Sequence, residues 1–470
     1  MKKYIIFLLF PILLLGNNDI KKSIIKIYTT HNNYNYIEPW NASTYASSGS
    51  GVIIKNKYIL TNAHVVSNNT FIEVKKHGDT KKYKANVLAI SHQVDLALLK
   101  VEDDYFYNKT IPLDFYKLPQ IQEEVSIYGY PTGGTMLSIS SGVISRIQSF
   151  RYVHSGEKFL GIQIDAAVNP GNSGGPAIIN GKIAGIVMQN MPKAQNIGYL
   201  VPVPIIKHFL NDYFNDNNVD GFPEIGILTE KLENPSLRKF YNLNKNVSGL
   251  LINKVLDENS LLKEEDVLME ISGKNIENDG TINFRNDEYT DFSYYINKKQ
   301  INDFLDLKIL RNNKIKNIKL KLDKTLSDFL LIKSKEYDVF PRYYIYNGYI
   351  FAPLTENLIR TGKMPREITK YYGEWANKNR QDIIILLKVL ATKENQGNLY
   401  LKNIVIDKIN NKKIKSYKNF IKELKNNRND FIKLETENNY KIVIKKEDKI
   451  NFNLLKKYNI RNYKSYEKED

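Results

Sequence analysis

AAVNPGNSGGPAI, residues 166–178, departs from the habit of the chain around it. Elsewhere Lys, Asn, Ile and Tyr dominate. Here Gly171, Gly174, Gly175, Pro170 and Pro176 surround a single hydroxyl, Ser173. A serine becomes a nucleophile when a base lies within hydrogen-bond reach and an acid fixes that base's tautomer. It also needs backbone N–H donors aimed at the developing oxyanion, so the turn must be one that side chains do not crowd. Glycines on both sides of Ser173 meet that need and let a substrate backbone come close. An ordinary glycine-rich turn would require no partners, so the rest of the chain decides between the two readings.

Two partners are present. His64 lies in YILTNAHVVS, directly after an apolar strand and at the start of what reads as a single helical turn. Asp95 lies in SHQVDLALLKV, an acid set in an apolar strand, where an unpaired charge would be costly. In this reading Ser173 attacks, His64 moves the proton and Asp95 orients His64. The turn Gly171–Asn172–Ser173 forms the oxyanion hole, with the amides of Gly171 and Ser173 facing one cavity. His154 and His208 read as structural. No close His/Asp/Glu spacing suggests a metal site, and no cofactor is expected.

From about residue 24 to 203 the chain breaks into short apolar or alternating runs such as YILT, FIEVK, LALLKV, VSIYGY and IAGIVMQ, punctuated by Gly, Asn, Pro and Ser. Many short strands with turn signals indicate an all-β barrel or sandwich pair. Apolar spacing in IIKHFLNDYF, behind Pro204, predicts a closing helix and ends this domain near residue 216. NDNNVDGFP is a linker. Two small α+β modules follow, at 222–322 and 335–450, ahead of a basic tail at 451–470. The phrases DVLMEISGKNI and NIVIDKINNKKI, one in each module, suggest a weak internal repeat.

At 470 residues and 42 % hydrophobic, the chain can bury several cores. It has no cysteine, which rules out disulfides, thiolate zinc sites and a cysteine nucleophile. The net charge of +17 comes from lysines scattered along the whole chain, so it reads as codon bias rather than a nucleic-acid footprint. MKKYIIFLLFPILLLGNND has the layout of a signal peptide over residues 1–17. Export to a periplasmic or other extracytoplasmic space is the expectation. The residues after Leu15 fit a cleavage site poorly, so a membrane anchor or an organelle leader stays open.

TNAHVV, DLALLKV and GNSGGP, in the order His, Asp, Ser, resemble the Deg/HtrA serine proteases of the chymotrypsin-like fold. GYPTGG, SSGVISRI, NIGYLVPVPIIKHFL, GFPEIGI and LENPSLR extend the resemblance. DGTINFRNDEYTDFSYYINKK and YDVFPRYYIYNGYIFAPLT look most like the forms found in plant organelles and some bacteria. The resemblance implies two six-stranded barrels with the site in their cleft, then a PDZ domain and a degenerate PDZ-like domain. It implies an ATP-independent endopeptidase of protein quality control, acting on unfolded or damaged polypeptides and assembled as trimers or hexamers. YNYIEPW (Tyr34 to Trp40) is the candidate subunit contact. No nucleotide-binding GxxxxGK[ST] loop occurs in the sequence.

By the same resemblance the strand GIVMQ lines the primary pocket through Ile186 and Met188, with residues 189–196 at its rim, and favours small or medium apolar side chains. Glu224, Ile225, Gly226 and Ile227 match the loop whose amides cradle a peptide's C-terminal carboxylate, with strand addition beside it. A plain chain reversal at Gly226 is the competing reading. Asn172 is neutral where digestive relatives carry an Asp that pairs with a new amino terminus, so activation through ordering of the loop 149–158, with Arg151, is expected instead of clipping. Two alternatives remain: a mainly latent chaperone or peptide-binding scaffold, and a charge-driven nucleic-acid binder, for which the chain has no recognition motif.

Overall fold

The computed structural model describes residues 17–190, 197–285, 287–446 and 449–465. The leader falls almost wholly outside them, as do residues 191–196 of the expected pocket rim. Strands β1 (Ile24–Tyr34), β2 (Ala42–Ile54), β3 (Tyr58–Thr61), β4 (Asn69–Lys76), β5 (Tyr83–Ser91) and β6 (Leu96–Val101) close into one barrel in the order β1-β2-β3-β6-β5-β4. Strands β7 (Glu124–Gly129), β8 (Ser138–Arg151), β9 (Lys158–Asp165), β10 (Pro176–Ile179), β11 (Lys182–Asn190) and β12 (Gly198–Pro202) close a second, in the order β10-β11-β12-β9-β8-β7.

Alternation builds these barrels. In β4, Ile72 and Val74 point into the core, while Glu73 faces outward and pairs in register with Lys84 of β5. Ile25, Ile53, Ile59, Leu99 and Phe106 fill the first barrel. Ile144, Ile162, Ile183 and Leu200 are equally buried in the second. Each such side chain contributes about 1.5–3 kcal/mol. Helix Val203–Asp216 has Pro204 in its first turn and ends at Asn217 in the left-handed conformation; Ile205, Ile206, Phe209 and Leu210 are its buried face.

The second module is a sheet ordered Ile227–Lys231, Leu250–Val255, Val267–Ile271, Phe304–Arg311, Lys314–Lys321. The third repeats it with Tyr349–Pro353, Ile384–Val389, Ile404–Ile409, Phe431–Thr436, Lys441–Lys445, and adds Tyr344–Tyr346 on the outer edge of Tyr349–Pro353. The repeated phrases take the same role in both. Ser272 and Gly273 have φ of 48° and 73°, Asn410 and Asn411 of 48° and 67°, and each pair turns a strand back on itself. Two successive positive φ values make the tight hairpin that matches sheet twist.

Two expectations change here. The stretch expected as a basic tail is folded. Helix Phe452–Lys457 buries Leu454 and Leu455 in the third module's core, and Ile345 donates its N–H to the Tyr463 carbonyl at 2.7 Å. Lysines hid three apolar residues, Leu454, Leu455 and Ile460. YNYIEPW, expected to face another subunit, is engaged within its own chain: Tyr36, Ile37 and Trp40 pack on that same core, and Glu38 pairs with Lys388 at 2.6 Å. Among the described residues no helix is long and apolar enough to cross a membrane.

Candidate active site

β3 ends at Thr61, and the single-turn helix Ala63–Val66 begins at once, carrying His64. Asp95 closes the turn 92–95 ahead of β6 with φ of 55°, a conformation that Asp tolerates better than most residues. Asn62 braces that turn by donating its side-chain amide to the Asp95 carbonyl at 2.8 Å. The Asp95 carboxylate is 1 % exposed, yet both oxygens are used. One accepts the His64 backbone N–H at 2.9 Å and the other accepts from Nδ1 of the His64 ring at 2.7 Å. The ring is therefore fixed at two points.

Burial alone would push the imidazole of His64 down, but the charge of Asp95 and the bond to it win, and the imidazole sits above its ordinary 6.5. Burial would raise the Asp95 carboxyl. The charge and hydrogen bonds of His64, with the nearby His154, outweigh it and hold the carboxyl below its usual value. The His64 side chain keeps 35 % of its surface open, enough to meet a substrate.

Ser173 stands in a turn made possible by Gly171 and Gly174, with φ of 97° and 82°. A Cβ at Gly174 would overlap the Ser50 carbonyl oxygen and the Thr61 hydroxyl. The Pro170 carbonyl accepts from the Thr132 N–H at 2.7 Å and so is committed to that partner. The amides of Gly171 and Ser173 find no acceptor among the described residues. Asn172 differs from the expectation, because its N–H is spent on the Asn169 carbonyl at 3.0 Å within the turn. The Ser173 hydroxyl donates to the Met188 carbonyl at 3.3 Å.

Sequence reasoning missed Ser50, which is fully buried between the barrels. Its N–H donates to the Ser173 carbonyl at 2.9 Å and its hydroxyl to the Gly171 carbonyl at 2.7 Å. The hydroxyl accepts the Tyr130 N–H at 2.8 Å, and the Ser50 carbonyl accepts from the Thr61 hydroxyl at 2.7 Å. One small residue thus ties the Ser173 turn to β3 and to the end of β7. Its only signal in sequence was a place in SSGSG.

The side chains of Ile186 and Met188 are closed to solvent at 0 % and 2 %, as is Val187 between them, and the Met188 backbone carbonyl accepts from the Ser173 hydroxyl. The Arg151 guanidinium bonds the Gly156 carbonyl and braces its own hairpin. In the second module the Ile225 N–H donates to the Glu224 carboxylate at 3.0 Å, Ile225 is buried in the core, and Gly226, φ 64°, lies against the Phe329 ring. Burial raises the Glu224 carboxyl. Ile227 begins an edge strand.

This geometry agrees with what related proteins show. A trypsin-like peptidase domain model matches residues 49–186 and a PDZ domain model matches 332–467, the module expected to be degenerate. Protease Do-like 4, mitochondrial, of Arabidopsis thaliana is 36 % identical over 90 % of this chain and 80 % of its own length.

The chain belongs to the Deg/HtrA family of serine proteases.

A serine protease DegP homolog of Plasmodium falciparum is 32 % identical over 85 % of this chain and 58 % of its own length. The solved HtrA-type protease AlgW with a decapeptide covers 65 % of this chain at 21 % identity and a TM-score of 0.51, a likeness of fold. The protease is a serine endopeptidase built on two closed six-stranded barrels, with PDZ architecture after them.

Proposed function

We propose that the protein cleaves unfolded or damaged polypeptides without ATP, through an acyl-enzyme on Ser173. His64 takes the Ser173 proton and returns it to the leaving amine. Asp95 holds the tautomer and stabilises the imidazolium, and the amides of Gly171 and Ser173 receive the oxyanion. The observation that carries this reading is the two-point grip of Asp95 on His64, beside a glycine-built turn whose two amides are unspent. The mitochondrial and chloroplastic names of the relatives support an organelle or extracytoplasmic setting. In the second module the outer edge of Ile227–Lys231 is the place for strand addition by a peptide.

One observation favours a second reading, a mainly latent enzyme or chaperone. The Ser173 hydroxyl is bonded to Met188, and no hydrogen bond joins it to His64 among the described residues. Such bonds often tighten only with substrate in place. Purified chain incubated with unfolded casein, without ATP, separates the two. Cleavage by the wild type and none by Ser173→Ala supports the protease reading. Equal suppression of casein aggregation by both, with no cleavage by either, supports the second.

A further inference from the structure

Two histidines without a role in the triad stand beside it. His92 opens the turn that ends in Asp95, on the first barrel, and His154 lies in the hairpin between β8 and β9, on the second. His92 Nδ1 and His154 Nε2 are 3.0 Å apart, and the His154 ring centre lies 6.1 Å from that of His64. The next residue of the turn, Gln93, donates its side-chain amide to the Glu157 carboxylate at 3.1 Å. Two consecutive residues of the Asp95 turn therefore grip two residues of the hairpin, and the grip spans the two barrels.

The hairpin is built to hold still. Tyr152 is fully buried and donates its hydroxyl to the Leu160 carbonyl at 2.6 Å. Its N–H donates to the Glu157 carbonyl and its carbonyl accepts the Gly156 N–H, both at 2.8 Å. The hairpin thus offers His92 a fixed partner in place of a mobile surface loop.

We propose that the His92–His154 hydrogen bond is a proton-sensitive clasp that positions the turn bearing Asp95, and through it His64. The inference rests on the triad reading above. Two neutral imidazoles, or one imidazole and one imidazolium, share a single N–H···N bond. Two imidazoliums do not, because both facing nitrogens then carry hydrogen and both rings carry charge. The clasp survives uptake of one proton and opens on the second. The titratable groups nearest the pair are Asp95, which interacts electrostatically with His154, His64, whose ring centre lies 6.1 Å from that of His154, and Glu157, which holds Gln93 beside His92. The window to search is about pH 5 to 8, where histidine side chains as a class change charge.

The test is the pH dependence of kcat/KM for the full-length chain on one unstructured fluorogenic peptide. His154 is compared with His154→Gln, which keeps an amide partner for His92 without a titrating ring, and with His154→Ala. The acid limb of the wild type falls with a slope steeper than one proton. His154→Gln has a slope of one. His154→Ala also has a slope of one and loses about ten- to a hundredfold in kcat at pH 7.5, with KM little changed, and His154→Gln recovers most of that loss. Superimposable profiles for all three overturn the clasp. Cleavage by Ser173→Ala overturns the triad reading instead.

If His154→Ala does not fold, hydrogen exchange in the Ser173→Ala chain decides. Residues 91–95 and 149–158 lose protection together between pH 7.5 and 5.0, and adding His154→Gln removes that change. Unchanged protection in the Ser173→Ala chain refutes the proposal.

Discussion

Asp95→Asn tests the heart of the site. The carboxylate accepts two hydrogen bonds, from the His64 N–H at 2.9 Å and from Nδ1 at 2.7 Å. A carboxamide has one oxygen and one NH2. The backbone N–H cannot change its role, so the oxygen stays there and the NH2 faces the ring. Nδ1 must then become the acceptor and Nε2 carries the hydrogen, which removes the base from the side facing Ser173. A tautomer error of this kind costs about 10⁴ in kcat, or about 5.5 kcal/mol. A second readout comes from charge. With the negative group gone, burial is left to act on His64, and its imidazole falls from above its ordinary 6.5 to below it. The acid limb of kcat/KM, which reports a base that must be neutral, moves to lower pH. Steady-state peptide cleavage across pH 5 to 9 measures both. A loss under about tenfold, or an acid limb that does not move, would refute the reasoning.

Two further outcomes follow from buried polar groups. Ser50→Ala leaves the Tyr130 N–H and the Gly171 carbonyl without their partner. It should cost about 2–4 kcal/mol in urea unfolding, and lower kcat because the Ser173 turn is no longer tied to β7. In the third module Glu437 accepts from Lys370 at 2.9 Å and from Arg380 at 2.8 Å. Burial pushes its carboxyl up, but these two bonds, with the nearby Tyr371 hydroxyl and the Arg380 charge, outweigh it and bring it from 4.5 to about 2. A depressed carboxyl stabilises the fold above its ordinary value, and that stability is lost as pH falls through about 2. Glu437→Gln should therefore destabilise this module by about 2 kcal/mol at pH 7, after discounting for partial exposure. The gap from wild type should close as the pH of the unfolding experiment approaches 2.

The fold was legible where local pattern suffices. Strand alternation, the proline-led helix and the glycines around Ser173 each act within a few residues, and the twin turns at Ser272 and Asn410 were visible as a repeated phrase. That His64 and Asp95 should meet could be expected because Asp95 reads as an acid within an apolar run that demands a partner, although the structure sets it in the turn just before β6. Ser50 was not legible, since a serine among glycines looks like any other and its role comes from backbone groups far along the chain. His92 and His154 are sixty-two positions apart and sit on different barrels, so only closure of both barrels joins them.

The short strand Tyr344–Tyr346 has a consequence for the company this protein keeps. An uncovered sheet edge is a template for any extended chain, and unfolded polypeptides are rich in such segments. By laying its own residues along Tyr349–Pro353, the third module withdraws that edge from trade with its surroundings, while the matching edge in the second module, Ile227–Lys231, is left available. The two modules thus share a sheet order and present different margins at this end: in the third, Tyr344–Tyr346 is met on its far side by Tyr463 and Lys464, and in the second, among the described residues, Ile227–Lys231 is itself the outermost strand.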